Sequence, residues 1–558
     1  MTVIEGTLAA PIAARNRLTL VVSASCAGTV FEWYDFFIFG SLAAIIGRHF
    51  FAGVGVAQGY LFALLTFAAG FAVRPFGAIV FGRLGDRTGR KRTFLVTISV
   101  MGLATFLVTF LPDYATLGVA APCLLVGLRM LQGFAIGGEY GGAAIYVAEH
   151  TTARRRGIAT SWIQCAAGLG LALALVVILI VRTSLGEVRF DAWGWRIPFA
   201  LSLALLALSL WIRFKLEESP EFRRIEAEGA LSQAPFTESF LRWQYLRRVL
   251  TVLFGLLAAQ GVVWYTAQFY TQFFMERIIA VSPAIVNTLL LIVTLASLPL
   301  YLFFGWLSDR IGRKPVMLFG LGLATLGFIP GFHLLTRVAN PALASANARA
   351  PVVVVAPPSD CSLQFDLIGH AKAVTACDVA KGALMNHGLS YTSRAAPAGS
   401  PTVILIGRDL VASVDGRQLN RATFGREARR FDERLRAALA AAGYPRSAAA
   451  RAIDVRLTLA ILFVFIIAAT ALYGPQAAAL VELFPTRIRY TAMSLPYHVG
   501  VGWFGGFLPA TAFAIVAATG NVYAGLWYPV GVAAVGFFVT LLFLPETFRG
   551  EDAGGFGP

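Results

Sequence analysis

The sequence is poor in charged residues. They make up 14% of its 558 residues, whereas soluble globular domains carry about 25%. Hydrophobic residues reach 57%, and the mean hydropathy is +0.71. A chain of this composition cannot cover a soluble surface with polar groups, which excludes an ordinary soluble enzyme or regulator.

Acidic residues are scarcer than basic ones, at 30 against 46, so the net charge is +16. A basic surplus can indicate nucleic-acid binding, but here the basic residues are confined to short loops. By the positive-inside rule such loops are cytoplasmic, so both termini are expected there too, and no nucleic-acid partner is expected. The basic segments are 83–92, 154–156, 213–248, 310–314 and 487–489.

Long apolar runs are what the sequence has in place of charge. Each has at least the roughly 20 residues that cross a bilayer as a helix, and in lipid a helix satisfies its own backbone hydrogen bonds. We therefore predict an all-α polytopic membrane protein whose runs are numbered span 1 to span 12. The runs are 18–46, 58–82, 93–112, 117–148, 157–181, 194–213, 249–275, 283–307, 315–336, 456–481, 490–518 and 522–545.

An internal repeat divides these spans into two halves of six. The loop FGRLGDRTGRKR after span 2 returns as FGWLSDRIGRKP after span 8, so that Asp86 corresponds to Asp309, 223 residues later. The pair Trp33-Tyr34 in span 1 likewise returns as Trp264-Tyr265 in span 7. Repeats in this order indicate two parallel halves, as in many secondary transporters.

A polar insertion interrupts the second half. Glu149 corresponds to Glu482 at a spacing of 333 residues, which is 110 more than the earlier repeat spacing. The excess falls at 337–455, where strands at 351–355 and 402–407 and an amphipathic helix at 420–442 predict a small α/β module. Counting spans puts it in the periplasm, where it could capture substrate, recruit an unknown partner or shield the outer end.

Two of the five cysteines, Cys361 and Cys377, lie in this module, 16 residues apart. In an oxidising compartment they are expected to form a disulfide, unless their Cα atoms lie too far apart. The predicted domains are the first half at 1–214, a cytoplasmic loop at 215–248, spans 7–9 at 249–336, the module at 337–455, spans 10–12 at 456–548 and a cytoplasmic tail at 549–558.

Several motifs together resemble one known family. The repeated loop has the form of the signature loop of the major facilitator superfamily. FEWYDF (31–36), RMLQGFAIGGEYGGA (129–143), LEESPEF (216–222), ELFPTRIRYTAMSL (482–495) and LPET (544–547) resemble its metabolite:proton symporter branch. The resemblance implies a twelve-helix inner-membrane carrier for a small metabolite and H⁺.

Acidic residues inside the spans are candidates for proton coupling. Glu32 lies midway between Arg17 and Arg48, the charges that bracket span 1, and Asp35 lies one turn further along the same face. Two carboxylates this close in a low dielectric should not both ionise, so one can hold a proton. The alternative is a structural hydrogen-bonding pair. Glu139 in span 4 and His498 in span 11 complete the proton-coupling candidates.

The substrate candidates lie in the first and fourth spans of the first half and in span 7. Arg129, Gln132 and Glu139 share one flank of span 4, so Arg129 could bind an anionic substrate or pair with one of the nearby acids. Trp33, Tyr34, Trp264, Tyr265 and Gln268 are expected to line a central cavity. Arg74 is expected to be structural.

The repeated loops are expected to act as a gate rather than to touch substrate. An acid at the end of a span can accept backbone N–H groups from a neighbouring helix end and pair with arginine, and such contacts can break between conformations. The resemblance supports this role for Gly82, Arg83, Asp86, Arg90, Asp309 and Arg313.

The resulting hypothesis is import of a small metabolite, preferably a carboxylate, by proton symport. The alternatives are proton-coupled efflux and import of an osmolyte such as betaine or proline. The resemblance disfavours efflux, because exporters of the superfamily carry a Gly-Pro motif in span 5 and this chain lacks it. Osmosensing members of the branch carry a C-terminal coiled coil, whereas the tail at 549–558 has no heptad pattern. This difference disfavours import of an osmolyte. The insertion contains no GxSxG, HExxH or phosphate-binding loop, so no enzyme, cofactor or metal site is expected.

Overall fold

The computed structural model describes the backbone of residues 4–52, 56–214, 218, 220–229, 232–361 and 374–548. Eleven helices in this part of the chain are long and apolar enough to cross a membrane. Span 1, whose side chains are described only from Val22 onward, is the run not counted among them.

The long helices follow the twelve apolar runs. Spans 1 to 6 are Ile4–Ser41 with Ala43–Phe50, Val56–Thr88, Arg90–Leu107, Ala120–Ile136 with Glu139–Glu149, Arg156–Leu185 and Arg196–Phe214. Spans 7 to 12 are Trp243–Ile278, Pro283–Ile311, Arg313–Ala339, Val455–Leu483, Arg489–Tyr497 with His498–Gly505 and Leu508–Thr519, and Trp527–Phe543. The loop after span 6 adds the short helices Pro220–Ala227 and Pro235–Leu241.

Span 4 is not the continuous run that the sequence predicts. It ends at Ile136 and restarts at Glu139, because glycines 137 and 138 let it pack directly on span 2. A Cβ at Gly133 would overlap the Gly70 carbonyl group, and one at Gly137 would overlap that of Arg74. Bare backbone at these positions brings the two helices into direct contact, as small residues do in membrane helix pairs.

The two halves pack against each other through span 2 with span 11 and span 5 with span 8. Gly82 faces the backbone of Thr491, and Gly157 and Gly305 face each other's backbone. Spans 7 and 11 contain π-helical turns at Leu253–Leu257, Thr266–Tyr270, Phe274–Ile278 and His498–Gly505. Such turns inside α-helices are frequent at functional sites.

The inserted module is a four-stranded sheet covered by helices. The strands are β1 (Val352–Ala356), β2 (Thr392–Ala395), β3 (Val403–Ile406) and β4 (Asp409–Ala412), in the order β2-β1-β3-β4. β1 and β2 are parallel and joined through the helix Ala376–Asn386, while β3 pairs antiparallel with both β1 and β4. The helices Pro341–Arg349 and Arg421–Ala441 complete the module.

The module has its own apolar core, which includes Val354, Ile404, Phe431 and Leu435. Cys361 and Cys377 form a disulfide with a Cα–Cα distance of 5.1 Å. The module lies at the end of the bundle opposite the basic loops. We call these two ends the module end and the basic end.

The module is attached to the second half of the bundle at three points. The Ala448 N–H donates to the Ala280 carbonyl group at 2.9 Å, and the Tyr391 N–H donates to that of Gly520 at 2.8 Å. Asn340 donates to the carbonyl group of Ile279 at 2.7 Å. These contacts hold the module end of span 7 and the loop between spans 11 and 12.

Candidate functional site

At the basic end, Asp86 joins the two halves. Its carboxylate accepts the backbone N–H groups of Tyr490 and Thr491, at 3.3 and 2.9 Å, and the Thr491 hydroxyl group at 2.7 Å. Asp86 is 1% exposed, so these bonds are shielded from water. It therefore caps the start of span 11, where the helix dipole favours a negative charge.

Asp309 forms the equivalent contact in the other direction. It accepts the N–H groups of Gly157 and Ile158 at 2.9 and 2.8 Å, so a span 8 acid caps span 5 of the first half. Arg313 pairs with Asp309 at 2.5 Å and with Glu482 at 3.1 Å. The repeated loops therefore form two reciprocal caps between the halves.

Two glutamates from the other branch motifs cap the third span of each half. Glu218 of LEESPEF accepts the Lys91 N–H at 3.1 Å. Glu546 of LPET accepts the N–H groups of Arg313 and Lys314 at 2.9 and 3.1 Å. Of the remaining gate candidates, Arg83 is exposed, and the side chain of Arg90 lies outside the described residues.

Glu32 and Glu139 are brought together deep in the first half by Arg213. The Arg213 Nη2 atom contacts Glu32, and its Nη1 atom contacts Glu139 Oε1 at 3.0 Å. The three side chains are at most 7% exposed. We call them the triad; it links spans 1, 4 and 6 and contains one more carboxyl group than cations.

The sequence does not identify Arg213 as a site residue, because Arg213 lies at the end of span 6 and begins the basic segment 213–248. The structure instead turns its side chain inward over the Phe94 ring, 4.6 Å from the ring centre. A cavity of about 20 Å³ borders Glu32, Glu139 and Phe36, enough space for one water molecule.

Asp35 does not form the expected pair with Glu32 in the described residues. It is 5% exposed and lies beside the hydroxyl groups of Thr105 and Ser202. Its Oδ1 atom is buried without a hydrogen-bond partner. Glu32 and Asp35 therefore do not bond each other, and Glu139 lies near both of them.

Arg129 and Arg74 lie at the centre of the bundle. Arg129 donates to Gln132 at 2.8 Å and forms no ion pair with a described acid in this conformation, so pairing with Glu32, Asp35 or Glu139 stays a prediction for other states of the carrier. The guanidinium carbons of Arg74 and Arg129 lie 4.4 and 4.1 Å from the centre of one ring, that of Phe36. Arg74, expected to be structural, thus belongs to the central site.

Aromatic side chains from spans 1 and 7 meet between the halves. Trp33 and Trp264 have ring centres 6.4 Å apart, and Phe37 stacks on Trp33 at 5.2 Å. The Trp264 indole N–H donates to the Tyr301 hydroxyl group at 2.9 Å. The pairing of the two repeated tryptophans agrees with their expected central position.

The remaining candidates divide between the centre and the outside of this cluster. Tyr265 packs on Phe71 at 5.5 Å and faces Arg74, and Gln268 accepts a hydrogen bond from Thr294 at 3.3 Å. Tyr34 is different, because its hydroxyl group donates to the Pro198 carbonyl group at 2.8 Å. Tyr34 therefore packs against span 6 rather than lining the centre.

His498 is fully buried in the π-helical part of span 11. Its ring lies near the guanidinium of Arg74 and beside the backbone of Gly137. A protonated imidazole would face this cation, which makes His498 an unfavourable place to hold a proton. In the described part of the chain, no three His, Cys, Asp or Glu side chains group as a metal site.

Two parts of the chain match a known protein family. The sequence profile of the family described as "Sugar (and other) transporter" matches residues 20–234 and 439–550. The chain belongs to this family. Because residues 235–438 are unmatched, the profile leaves out most of the inserted module.

The fold is that of the major facilitator superfamily. The structure of the superfamily's proton:xylose symporter XylE from Escherichia coli superimposes with a TM-score of 0.61 at 15% identity, over 95% of this chain and 96% of that one. The superfamily resemblance and the predicted all-α fold with a small α/β insertion are confirmed.

Curated relatives of this family member are named as transporters rather than enzymes. The shikimate transporter of Escherichia coli K12 is 38% identical over 59% of this chain and 74% of its own length. The alpha-ketoglutarate permease of that strain is 31% identical over 61% and 77%, respectively. Its proline/betaine transporter is 34% identical over 57% of this chain, and the match spans 65% of that transporter's length.

Proposed function

We propose that this chain imports a small carboxylate metabolite together with protons across a bacterial inner membrane. The carrying observation is the triad, in which Glu32 and Glu139 share one cation, Arg213. With both acids ionised, the triad has a net negative charge in a medium where charge is costly. One proton neutralises it, and its gain or loss can therefore be linked to a change of conformation.

The triad is suited to coupling because it joins three helices. An ionised carboxylate can only accept hydrogen bonds, whereas a protonated carboxyl group also donates one and accepts more weakly, so protonation changes which contacts with Arg213 remain strong. Glu139 Oε2 is buried without a hydrogen-bond donor, and the Glu32 carboxyl group lies beside Glu139, so the two acids can share one proton. Asp35 is a second candidate, while His498 is disfavoured by Arg74.

Arg129 is proposed to bind the substrate carboxylate. It is 1% exposed, has no acidic partner among the described residues and lies beside the junction of the two halves. Import of an anion is opposed by a negative cell interior, and co-transport of protons offsets this electrical cost. The relatives named for shikimate and alpha-ketoglutarate support a carboxylate substrate.

Alternating access would proceed by rocking of the two halves around this centre. In the proposed orientation the basic end and both termini are cytoplasmic, and the module at 337–455 is periplasmic. The reciprocal caps at Asp86 and Asp309 would then close the cytoplasmic side and break when it opens. The proposed domain boundaries follow this division.

The second candidate is import of an osmolyte. The observation that favours it is the proline/betaine transporter among the relatives, at 34% identity. The central guanidiniums argue against it, because betaine and proline are zwitterions whose carboxylate would be accompanied by a further cation at a site that already contains two. Efflux has no comparable support from the geometry.

Uptake into proteoliposomes tests the proposal. Radiolabelled shikimate, 2-oxoglutarate, proline and betaine are supplied outside, with and without an inward proton gradient. We expect a carboxylate to accumulate only with the gradient. Uptake that ignores the gradient would contradict symport, and gradient-driven uptake of betaine or proline alone would favour the osmolyte.

A further inference from the structure

Two guanidinium groups without acidic partners lie at the centre of the bundle. Arg74 comes from span 2 and Arg129 from span 4, and each is 1% exposed. Among the described residues, neither forms an ion pair, and the Nε atoms of both are buried without a hydrogen bond. Glu32 and Glu139 both contact Arg213, and Asp35, the other acid inside span 1, lies beside the hydroxyl groups of Thr105 and Ser202.

The two cations are close neighbours. Both stack on the ring of Phe36, and Arg74 also stacks on Phe71 at 4.1 Å, while Arg129 stacks on Phe67 at 4.8 Å. Cation–π contacts stabilise each buried guanidinium, but they do not neutralise its charge. Burying an unpaired charge is costly, and the two positive charges also repel each other.

Each guanidinium has its own neutral polar neighbours. Arg129 contacts the Gln132 amide oxygen at 2.8 Å and the Phe36 carbonyl oxygen at 3.5 Å. Arg74 faces the phenols of Tyr265, Tyr473 and Tyr497, all of them neutral groups. There are thus two polar subsites, separated by aromatic rings that suit a short apolar linker.

A planar guanidinium binds a carboxylate through two parallel hydrogen bonds. A monoacid could satisfy only one of the two subsites and would leave the other cation unpaired. Taking the proposed carboxylate import as given, we infer that the substrate is a compact dicarboxylate, with one carboxylate bound by Arg74 and the other by Arg129. Because both cations lie against one ring, a four- or five-carbon diacid is long enough to reach both.

Equilibrium binding to the purified protein in nanodiscs, without any proton gradient, tests this inference. The probes are succinate and glutarate, each compared with its monoamide, succinamate or glutaramate, which has nearly the same shape and one charge fewer. We expect the wild type to bind the diacid about tenfold or more tightly than the monoamide, the usual effect of one charged hydrogen-bonded pair.

The variants Arg74→Gln and Arg129→Gln should each reduce this ratio towards one, while Arg196→Gln, near the module end, should preserve it. Arg74→Lys and Arg129→Lys should retain part of the ratio because they keep the charge, and they serve if a glutamine variant fails to fold. A purely structural role would weaken both members of a probe pair equally and leave the ratio unchanged.

Equal affinity of diacid and monoamide would overturn the inference and leave monocarboxylate transport intact. Binding of proline or betaine with no binding of any acid would overturn both the inference and the proposed carboxylate import. A preserved preference for the diacid in proteoliposomes that show no gradient-driven uptake would contradict symport alone. These outcomes separate a failure of the dicarboxylate inference from a failure of proton-coupled carboxylate import.

Discussion

Asp86 accepts the backbone N–H of Thr491 at 2.9 Å across the junction between the two halves. One residue thus fixes the end of span 2 to the first turn of span 11. Asp309 repeats the arrangement on span 5, so the two halves cap each other's helices at the same end of the bundle.

Asp86→Asn is expected to favour opening of the basic end. The amide oxygen can still accept a hydrogen bond, but the charge at the helix N-terminus is lost, which weakens the cap by about 1–2 kcal/mol. The measurement is the alkylation rate of Ser494→Cys, a buried position in span 11, in a background with Cys26, Cys123 and Cys165 replaced by serine. We expect an increase of about tenfold, the equivalent of 1.4 kcal/mol.

Arg83→Gln is the matched control for this measurement. Arg83 lies in the same loop but is exposed, so its loss should leave the alkylation rate unchanged. Equal rates in Asp86→Asn and the parent protein would mean that the Asp86 cap does not hold the end closed.

Glu139→Gln is expected to uncouple transport from protons. Only Glu32 and Arg213 then carry charge in the triad. Their charges cancel, so there is no excess negative charge for a proton to neutralise. Gradient-driven accumulation should fall at least about tenfold, whereas exchange of external for internal substrate should remain within about threefold of wild type. In the wild type, net uptake into vesicles without internal substrate should fall as the external pH rises. In Glu139→Gln this uptake should no longer depend on the external pH.

Glu276→Gln provides the comparison for Glu139→Gln. Glu276 is an acid of span 7 that accepts a hydrogen bond from Gln272 at 3.1 Å and lies outside the triad. It should retain the gradient dependence. A normal proton-driven accumulation in Glu139→Gln would assign coupling to another group, with Asp35 next to be tested.

Arg213→Gln is expected to destabilise the fold strongly. Removing one partner of a buried ion pair costs about 3–5 kcal/mol, because the remaining charge is left uncompensated. Adding Glu139→Gln removes one of the two stranded acids, so the double variant should recover part of the loss. Thermal unfolding in detergent measures both, and additive losses would argue against a shared network.

Gly388→Ala is expected to loosen the module from span 7. Gly388 has a φ of +67°, and a methyl group there would overlap the Arg277 carbonyl oxygen. Gly399→Ala is the control, since Gly399 has a φ of +83° but no atom within 4 Å of the added methyl group. Hydrogen exchange at residues 274–281 should rise only in Gly388→Ala; equal exchange in both would mean that strain rather than docking dominates.

Cys361→Ser is expected to weaken the module without unfolding the bundle. Closing a loop of 16 residues stabilises a fold by about 3 kcal/mol, and the module has a separate apolar core. Limited proteolysis should cut the module of the variant earlier than that of the wild type, while the spans remain protected. Simultaneous loss of both would show that the module and the bundle unfold as one unit.

Local patterns were sufficient to predict the helices, the repeat and the insertion. Apolar length determines a membrane helix, and the repeated loop at Asp86 and Asp309 marks the equivalent helix ends. The short valine run at 351–355 also matches β1, because β-branched residues in a run of this length favour a strand.

Side-chain partners across helices were not predictable in the same way. Arg213 and Glu139 are 74 residues apart, and nothing in the sequence around Arg213 separates an inward cation from a loop cation. The central position of Arg74 depends on the close glycine contacts between spans 2 and 4, which no local pattern marks. Tyr34 shares its motif with Trp33 but faces another helix, since successive residues point about 100° apart.

The attachment of the module has a practical consequence for following the carrier at work. Its contacts at Ile279, Ala280 and Gly520 all belong to the second half, so the module should travel with that half as the first half tilts. A fluorophore on an exposed module residue such as Arg429, paired with one on the loop at Asp113, would convert this tilt into an optical signal. The distance between the module and the first half should therefore change in each transport cycle and can be measured outside the bilayer.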